Sequence, residues 1–244
     1  MAKMIEATGL KKHYRRGPET VKALDGVDFE ISSGEMVAIV GPSGSGKTTL
    51  MNLISCLDSP TEGKLSIAGQ DVTGFKEKEL IEIRRKNIGF VFQRPHLIPT
   101  LTARENVELP IIFSKHKTLG LDVSAQDVSA QDVSAGAISS KLGEVGLKGR
   151  DHIQVRMLSG GDMQLVAIAR ALILNPRVLI ADEPTGRFST QVRDTMTVLF
   201  KELAASGLAV FIATHDLDLA ESCDRIMHLQ DGVIVPKEMS SLYA

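Results

Sequence analysis

Apolar residues in this chain fall into short runs separated by glycine, proline and charge, and the spacing within each run predicts its conformation. Residues 5–10 and 27–31 alternate as half-buried strands do, with polar turn material at Arg15-Arg16-Gly17-Pro18-Glu19 between them. Residues 36–40 and 209–213 are apolar throughout, 64–68 form a short strand after the turn Asp58-Ser59-Pro60-Thr61-Glu62-Gly63, and 88–93 and 178–181 predict buried strands. Helical spacing recurs at 49–54, 76–86, 102–109, 137–145, 163–174 and 191–205. Near the end, 225–229 and 233–235 flank Gln230-Asp231-Gly232, which predicts a hairpin.

From 95 to about 158 apolar content drops and helical patterns dominate. Inside this region Asp-Val-Ser-Ala-Gln recurs with a period of five across 122–135. Five matches neither a helix nor a strand, and three copies are too short for a solenoid built of units of about 20 residues or more. A mobile surface insertion is the expectation, with a partner-binding loop as its rival.

The strongest chemical signal is Gly41-Pro42-Ser43-Gly44-Ser45-Gly46-Lys47-Thr48, between the apolar run 36–40 and a helix that opens at Thr49. Glycines let successive backbone N–H groups turn inward onto phosphate oxygens, and the following helix adds its positive N-terminal end. Lys47 then reaches the β- and γ-phosphates, and the Thr48 hydroxyl ligates magnesium. A chance glycine-rich turn would not need both the strand before it and the helix after it.

Three further strand ends carry polar groups. Asp182 and Glu183 follow 178–181; beside a phosphate loop, Asp182 suits magnesium and Glu183 suits polarising an attacking water. His215 follows 209–213 and Gln93 ends 88–93, and parallel strands would deliver them to the same rim. Tyr14, ahead of the first turn, reads equally as a base-stacking aromatic and as a packed strand residue.

Composition narrows the class. The 244 residues are 43% hydrophobic and 24% charged with a formal net charge of -2, so no overall basic field is available to hold nucleic acid. The separated Cys56 and Cys223 read as reduced, buried thiols, and the six histidines show no ligand-like pairing. The first residues lack a signal-peptide core and no run approaches the roughly 20 apolar residues of a membrane span. A cytoplasmic chain, anchored by another subunit if it works at a membrane, is the expectation.

Taken in order, the phosphate loop, Gln93, Leu158-Ser159-Gly160-Gly161, Asp182-Glu183 and His215 resemble the ATPase subunit of ABC transporters along nearly the whole chain. Phe90-Val91-Phe92-Gln93 and Leu101-Thr102-Ala103-Arg104-Glu105-Asn106-Val107 look most like the branch serving lipoprotein release and macrolide export. The resemblance implies an α/β P-loop core with an antiparallel β subdomain and an inserted helical subdomain at about 95–158, within one ABC ATPase domain over 1–244. It implies ATP and magnesium as ligands, with Tyr14 on adenine, Gly41 to Thr49 on the phosphates, and Thr48, Gln93 and Asp182 at the metal. Glu183 is then the catalytic base and His215 the γ-phosphate switch. Two copies, or this chain and a second ABC ATPase, would close head to tail, each offering Ser159, Gly160 and Gly161 to the other's ATP and docking on an integral membrane permease at the inner face of the membrane.

Two departures fall on that dimer interface. Where the family usually has glutamine and, three residues later, arginine, this chain has Asp162 and Leu165; where it usually has an aspartate after the paired acids, this chain has Gly186-Arg187-Phe188-Ser189. An acid in a helix's first turn is favourable by about 0.3–1 kcal/mol. A carboxylate roughly 7 Å from one phosphate charge, at an effective dielectric of about 20, costs about 2.4 kcal/mol, or about fiftyfold per site in ATP-driven closure, offset in part by magnesium. The alternative expectation is therefore an ATP-binding, hydrolysis-impaired module acting as a regulator or as half of an asymmetric pair; a family member acting on DNA or ribosomes is disfavoured by the balanced charge.

Overall fold

The computed structural model describes residues 2–115, 135–186 and 188–237, so most of the period-five repeat at 122–135 lies outside the described residues. The chain divides into two compact units, Met1–Gln93 with Arg177–Ala244, and Arg94–Pro176.

In the first unit, β1 (Lys3–Arg16) and β2 (Glu19–Ser32) form an antiparallel hairpin that β4 (Glu62–Ile67) and the short β5 (Gln70–Asp71) extend into a four-stranded sheet. The strands run far beyond the alternating stretches 5–10 and 27–31. Register shifts at Ala7/Leu10 and Lys12/His13 interrupt the alternation, and the arms near the turn are polar on both faces, which hides them from a periodicity reading. A six-stranded sheet in the order β10-β9-β3-β8-β7-β6 comprises β3 (Met36–Val40), β6 (Ile88–Val91), β7 (Val178–Asp182), β8 (Ala209–Ala213), β9 (Arg225–Gln230) and β10 (Val233–Val235). All its pairings are parallel except β9 with β10, the hairpin read from the sequence, whose turn holds Asp231 at φ 47° and Gly232 at φ 79°.

Buried side chains of both sheets and of α1 (Lys47–Ile54) share one core, with the Phe29 and Phe211 rings 6.2 Å apart. Burial on both faces is why β3 and β8 are apolar at every position. The expected strand 88–93 stops at Val91; Phe92 and Gln93 are exposed, and the Phe92 ring packs at 4.3 Å from Phe90. Around the sheets run α2 (Glu77–Asn87), α6 (Thr190–Ala205) and α7 (Leu217–Glu221). Cys56 is buried, which pushes its thiol up to about 11, whereas Cys223 is only partly buried.

In the second unit, α3 (Ala103–Lys115), α4 (Ala135–Glu144) and α5 (Gly160–Leu172) pack on one another. Ser159 caps α5, accepting from Asp162 N at 3.1 Å, so the helix opens at Gly160 and takes in the two glycines that sequence spacing left outside 163–174. Among the described residues no helix is long and apolar enough to cross a membrane.

Candidate functional site

The C-terminal ends of β3, β6, β7 and β8 share one rim of the parallel sheet, and each delivers polar residues there. After β3 the backbone turns through Gly44 at φ 82° and Gly46 at φ 108° into α1. A Cβ on Gly46 would meet Ala23 O at 2.4 Å, and one on Gly41 would meet Leu229 O at 2.1 Å, so both positions exclude any side chain. No side chain caps α1, which leaves the amides of its first turn free to face an anion. Ser45 Oγ is buried without a partner, while Pro42, Ser43 and Thr48 are exposed and Thr49 is half-buried.

Lys47 Nζ folds back across this loop, donating to Gly41 O at 2.7 Å and Pro42 O at 2.9 Å. Burial lowers its pKa, opposed by the charges of Glu183 and Asp182. Asp182, at the end of β7, is raised by burial and then by its neighbour Glu183, against the pull of Lys47 and His215. Its carboxylate, the Thr48 hydroxyl and the Gln93 amide are hard oxygen donors of the kind magnesium takes.

Glu183 stands at φ 44°, a left-handed conformation that costs a non-glycine residue of order 1–3 kcal/mol. Register explains how it is held: Asp182 pairs with Ala213, and Glu183 N donates to Ala213 O at 2.8 Å. Glu183 Oε2 accepts from Thr214 Oγ1 and from His215 N, both at 3.2 Å, and Oε1 lies 3.7 Å from His215 Nε2. The paired acids and the histidine therefore meet. Sequence reading had not included Thr214, which is wholly buried, nor the link beyond it: Asp216 N donates to Thr214 Oγ1 at 2.9 Å, and Asp216 Oδ2 accepts from Thr185 Oγ1 at 3.3 Å and Arg193 Nη1 at 3.2 Å. The position of Thr214 directly after a buried strand was the available signal.

Tyr14 OH donates to Asp58 Oδ2 at 3.1 Å, and Lys12 Nζ sits 5.2 Å from the ring centroid while bonding Asp58 Oδ1 at 2.6 Å. Burial and then Asp58 raise the Tyr14 pKa. With 37% exposure the ring retains an accessible surface.

Ser159, Gly160 and Gly161 belong to the second unit, at the start of α5; the first two are exposed and Gly161 is buried. Asp162 is not a bare charge there. Its Oδ2 accepts from Ser159 Oγ at 2.8 Å and from Arg150 Nη1 at 2.8 Å, a cation twelve residues upstream that offsets its charge. In the loop after the paired acids, Phe188 N donates to Thr185 O at 3.3 Å, and Ser189 precedes α6 without a side-chain cap bond; Arg187 lies outside the described residues.

The ABC transporter family model matches residues 24–186. The chain is 41% identical over 96% of its length to the uncharacterized ABC transporter ATP-binding protein YknY of Bacillus subtilis, covering 96% of that protein. It is 42% identical over 96% of its length to the macrolide export ATP-binding/permease protein MacB of Escherichia coli, of which it spans 34%. Among solved structures it is similar to the dimeric ATP-binding cassette MJ0796 in a post-hydrolysis state bound to ADP and Pi, with a TM-score of 0.80, 38% identity and 96% and 97% of the two chains covered.

Proposed function

The chain belongs to the ABC transporter family, and from that premise we propose that it is the ATP-hydrolysing subunit of an efflux or lipoprotein-extraction transporter, working as a head-to-tail dimer on a membrane permease. The observation that carries this reading is the convergence of Lys47, Asp182, Glu183 and His215 on one rim, with Glu183 accepting hydrogen bonds from the Thr214 hydroxyl and the His215 amide just beyond β8. The name of the MacB relative joins an ATP-binding part to a permease in one protein, and the MJ0796 cassette is dimeric; both support the partners proposed for this chain.

On this reading the loop amides from Gly41 to Thr49 and the start of α1 hold the phosphates of ATP, and Tyr14 stacks on adenine. Lys47 exchanges its two loop carbonyls for phosphate oxygens, regaining charge partners that offset its desolvation. Thr48, Gln93 and Asp182 hold magnesium, which supplies positive charge at the phosphates. Glu183 takes a proton from the attacking water, its carboxylate oriented by Thr214 and the His215 amide, while the exposed His215 ring senses the γ-phosphate. Ser159, Gly160 and Gly161 of a second copy complete the site.

One observation favours a slower module: the single Ser159 hydroxyl proton is directed to Asp162. Steady-state ATPase assays with magnesium, beside Glu183→Gln as a blank, test the two readings. Turnover above the blank that rises more than linearly with protein concentration supports the dimeric motor. A rate equal to the blank with nucleotide still bound, unchanged by membranes containing the permease, overturns it in favour of the binding module.

A further inference from the structure

The start of α5 carries Asp162 and Leu165 where the family resemblance leads one to expect glutamine and arginine, and Asp162 there has a charge partner. Arg150 Nη1 and Ser159 Oγ both donate to Asp162 Oδ2 at 2.8 Å, while Asp162 N donates to Ser159 Oγ at 3.1 Å. The guanidinium sits on a tied-down segment. Arg150 N donates to Leu147 O and Ile153 N to Arg150 O, both at 3.1 Å, and Asp151 O and Ile153 O accept from Arg104 N and Ala103 N at 2.9 Å. A planar, always-charged fork on a fixed backbone is well suited to hold one carboxylate in one place.

We propose that Arg150 is a positioning residue of the signature: it neutralises Asp162 and gives that carboxylate a second partner, so that the Ser159 hydroxyl can turn from it to the phosphate of ATP held by another copy. Ser159 has one proton to give, and Asp162 accepts it. When ATP approaches, the repulsion between phosphate and carboxylate favours rotation of Asp162 onto Arg150, where its charge remains paired. The proposal rests on the sandwich reading above, and it accounts for how a chain with an acid in this place can retain closure.

The test is ATP-dependent dimerisation of the full chain, followed by analytical ultracentrifugation with Glu183→Gln as the parent so that ATP is not consumed. Adding Arg150→Ala leaves Asp162 bare and is expected to weaken dimerisation roughly tenfold to fiftyfold, with the defect shrinking as salt is raised. Asp162→Asn on top of Arg150→Ala removes the bare charge and is expected to restore dimerisation, and Arg150→Lys is expected to retain most of it. The rescue separates charge compensation from a folding defect, since a chain damaged by losing Arg150 would not recover on losing Asp162 as well. Dimerisation of Arg150→Ala equal to the parent, or a loss that Asp162→Asn does not restore, overturns the role of Arg150 alone. If the parent forms no ATP-dependent dimer, the sandwich reading fails and this proposal with it.

Discussion

Thr214 offers the sharpest test of how the rim is held, because one hydroxyl serves two elements. Its Oγ1 donates to Glu183 Oε2 at 3.2 Å and accepts from Asp216 N at 2.9 Å, and the residue is wholly buried. Thr214→Val preserves shape and removes both bonds. Leaving the Asp216 amide unsatisfied costs about 1–3 kcal/mol, and losing a donor to a carboxylate about 1.5 kcal/mol at the low end appropriate to a long bond. A total of about 3 kcal/mol corresponds to a fall of roughly 6–12 °C in Tm for a chain of this size. Thr214→Ser keeps the hydroxyl and deletes one buried methyl, about 1 kcal/mol, or roughly 2–4 °C. Calorimetry on the nucleotide-free chain reads both. On the catalytic role proposed for Glu183, Thr214→Val also lowers kcat by about tenfold at unchanged KM, because the lost contact orients the base and touches no phosphate. A valine variant as stable as the parent, or a serine variant less stable than the valine one, would refute the hydroxyl's role.

Three further outcomes are expected. Asp182 has a raised folded pKa, so the folded chain binds its proton more tightly than the unfolded chain and stability falls as pH rises through that range; Asp182→Asn should raise the Tm of the nucleotide-free chain at pH 7, with the gain vanishing below about pH 4, while magnesium-dependent ATP binding weakens. Gly46→Ala places a Cβ 2.4 Å from Ala23 O at φ 108°, and is expected to abolish nucleotide binding in equilibrium dialysis and to lower Tm. Tyr14→Ala should weaken ATP binding by about fivefold to a hundredfold through lost stacking, whereas Tyr14→Phe, which keeps the ring and loses the hydroxyl's bonds to Asp58 and Thr49, should stay within about threefold by calorimetric titration.

The parts of the site legible in the sequence are those whose requirement is local. Gly44 and Gly46 stand where the backbone must take positive φ, and residues 36–40 and 209–213 are apolar throughout because both faces of their strands are covered. Ser159 caps the helix that begins at the next residue. Where a strand was polar on both faces, as in the arms of the first hairpin, or shortened by the exposure of Phe92, periodicity misjudged its extent.

By itself, then, the order of these local signals determined the α/β core, the glycine-rich turn between β3 and α1, and the strand ends at which the paired acids and the histidine stand. Tertiary structure alone decided the partners. The pairing of Asp182 with Ala213 brings Glu183 against Thr214, thirty-one residues away, and the turn carrying Arg150 brings a cation onto Asp162. Dihedral preferences and periodicity act over a few residues and are written in neighbouring side chains, whereas strand register and loop anchoring sum many weak contacts between distant segments, so the groups they bring together have no spacing that marks them in advance.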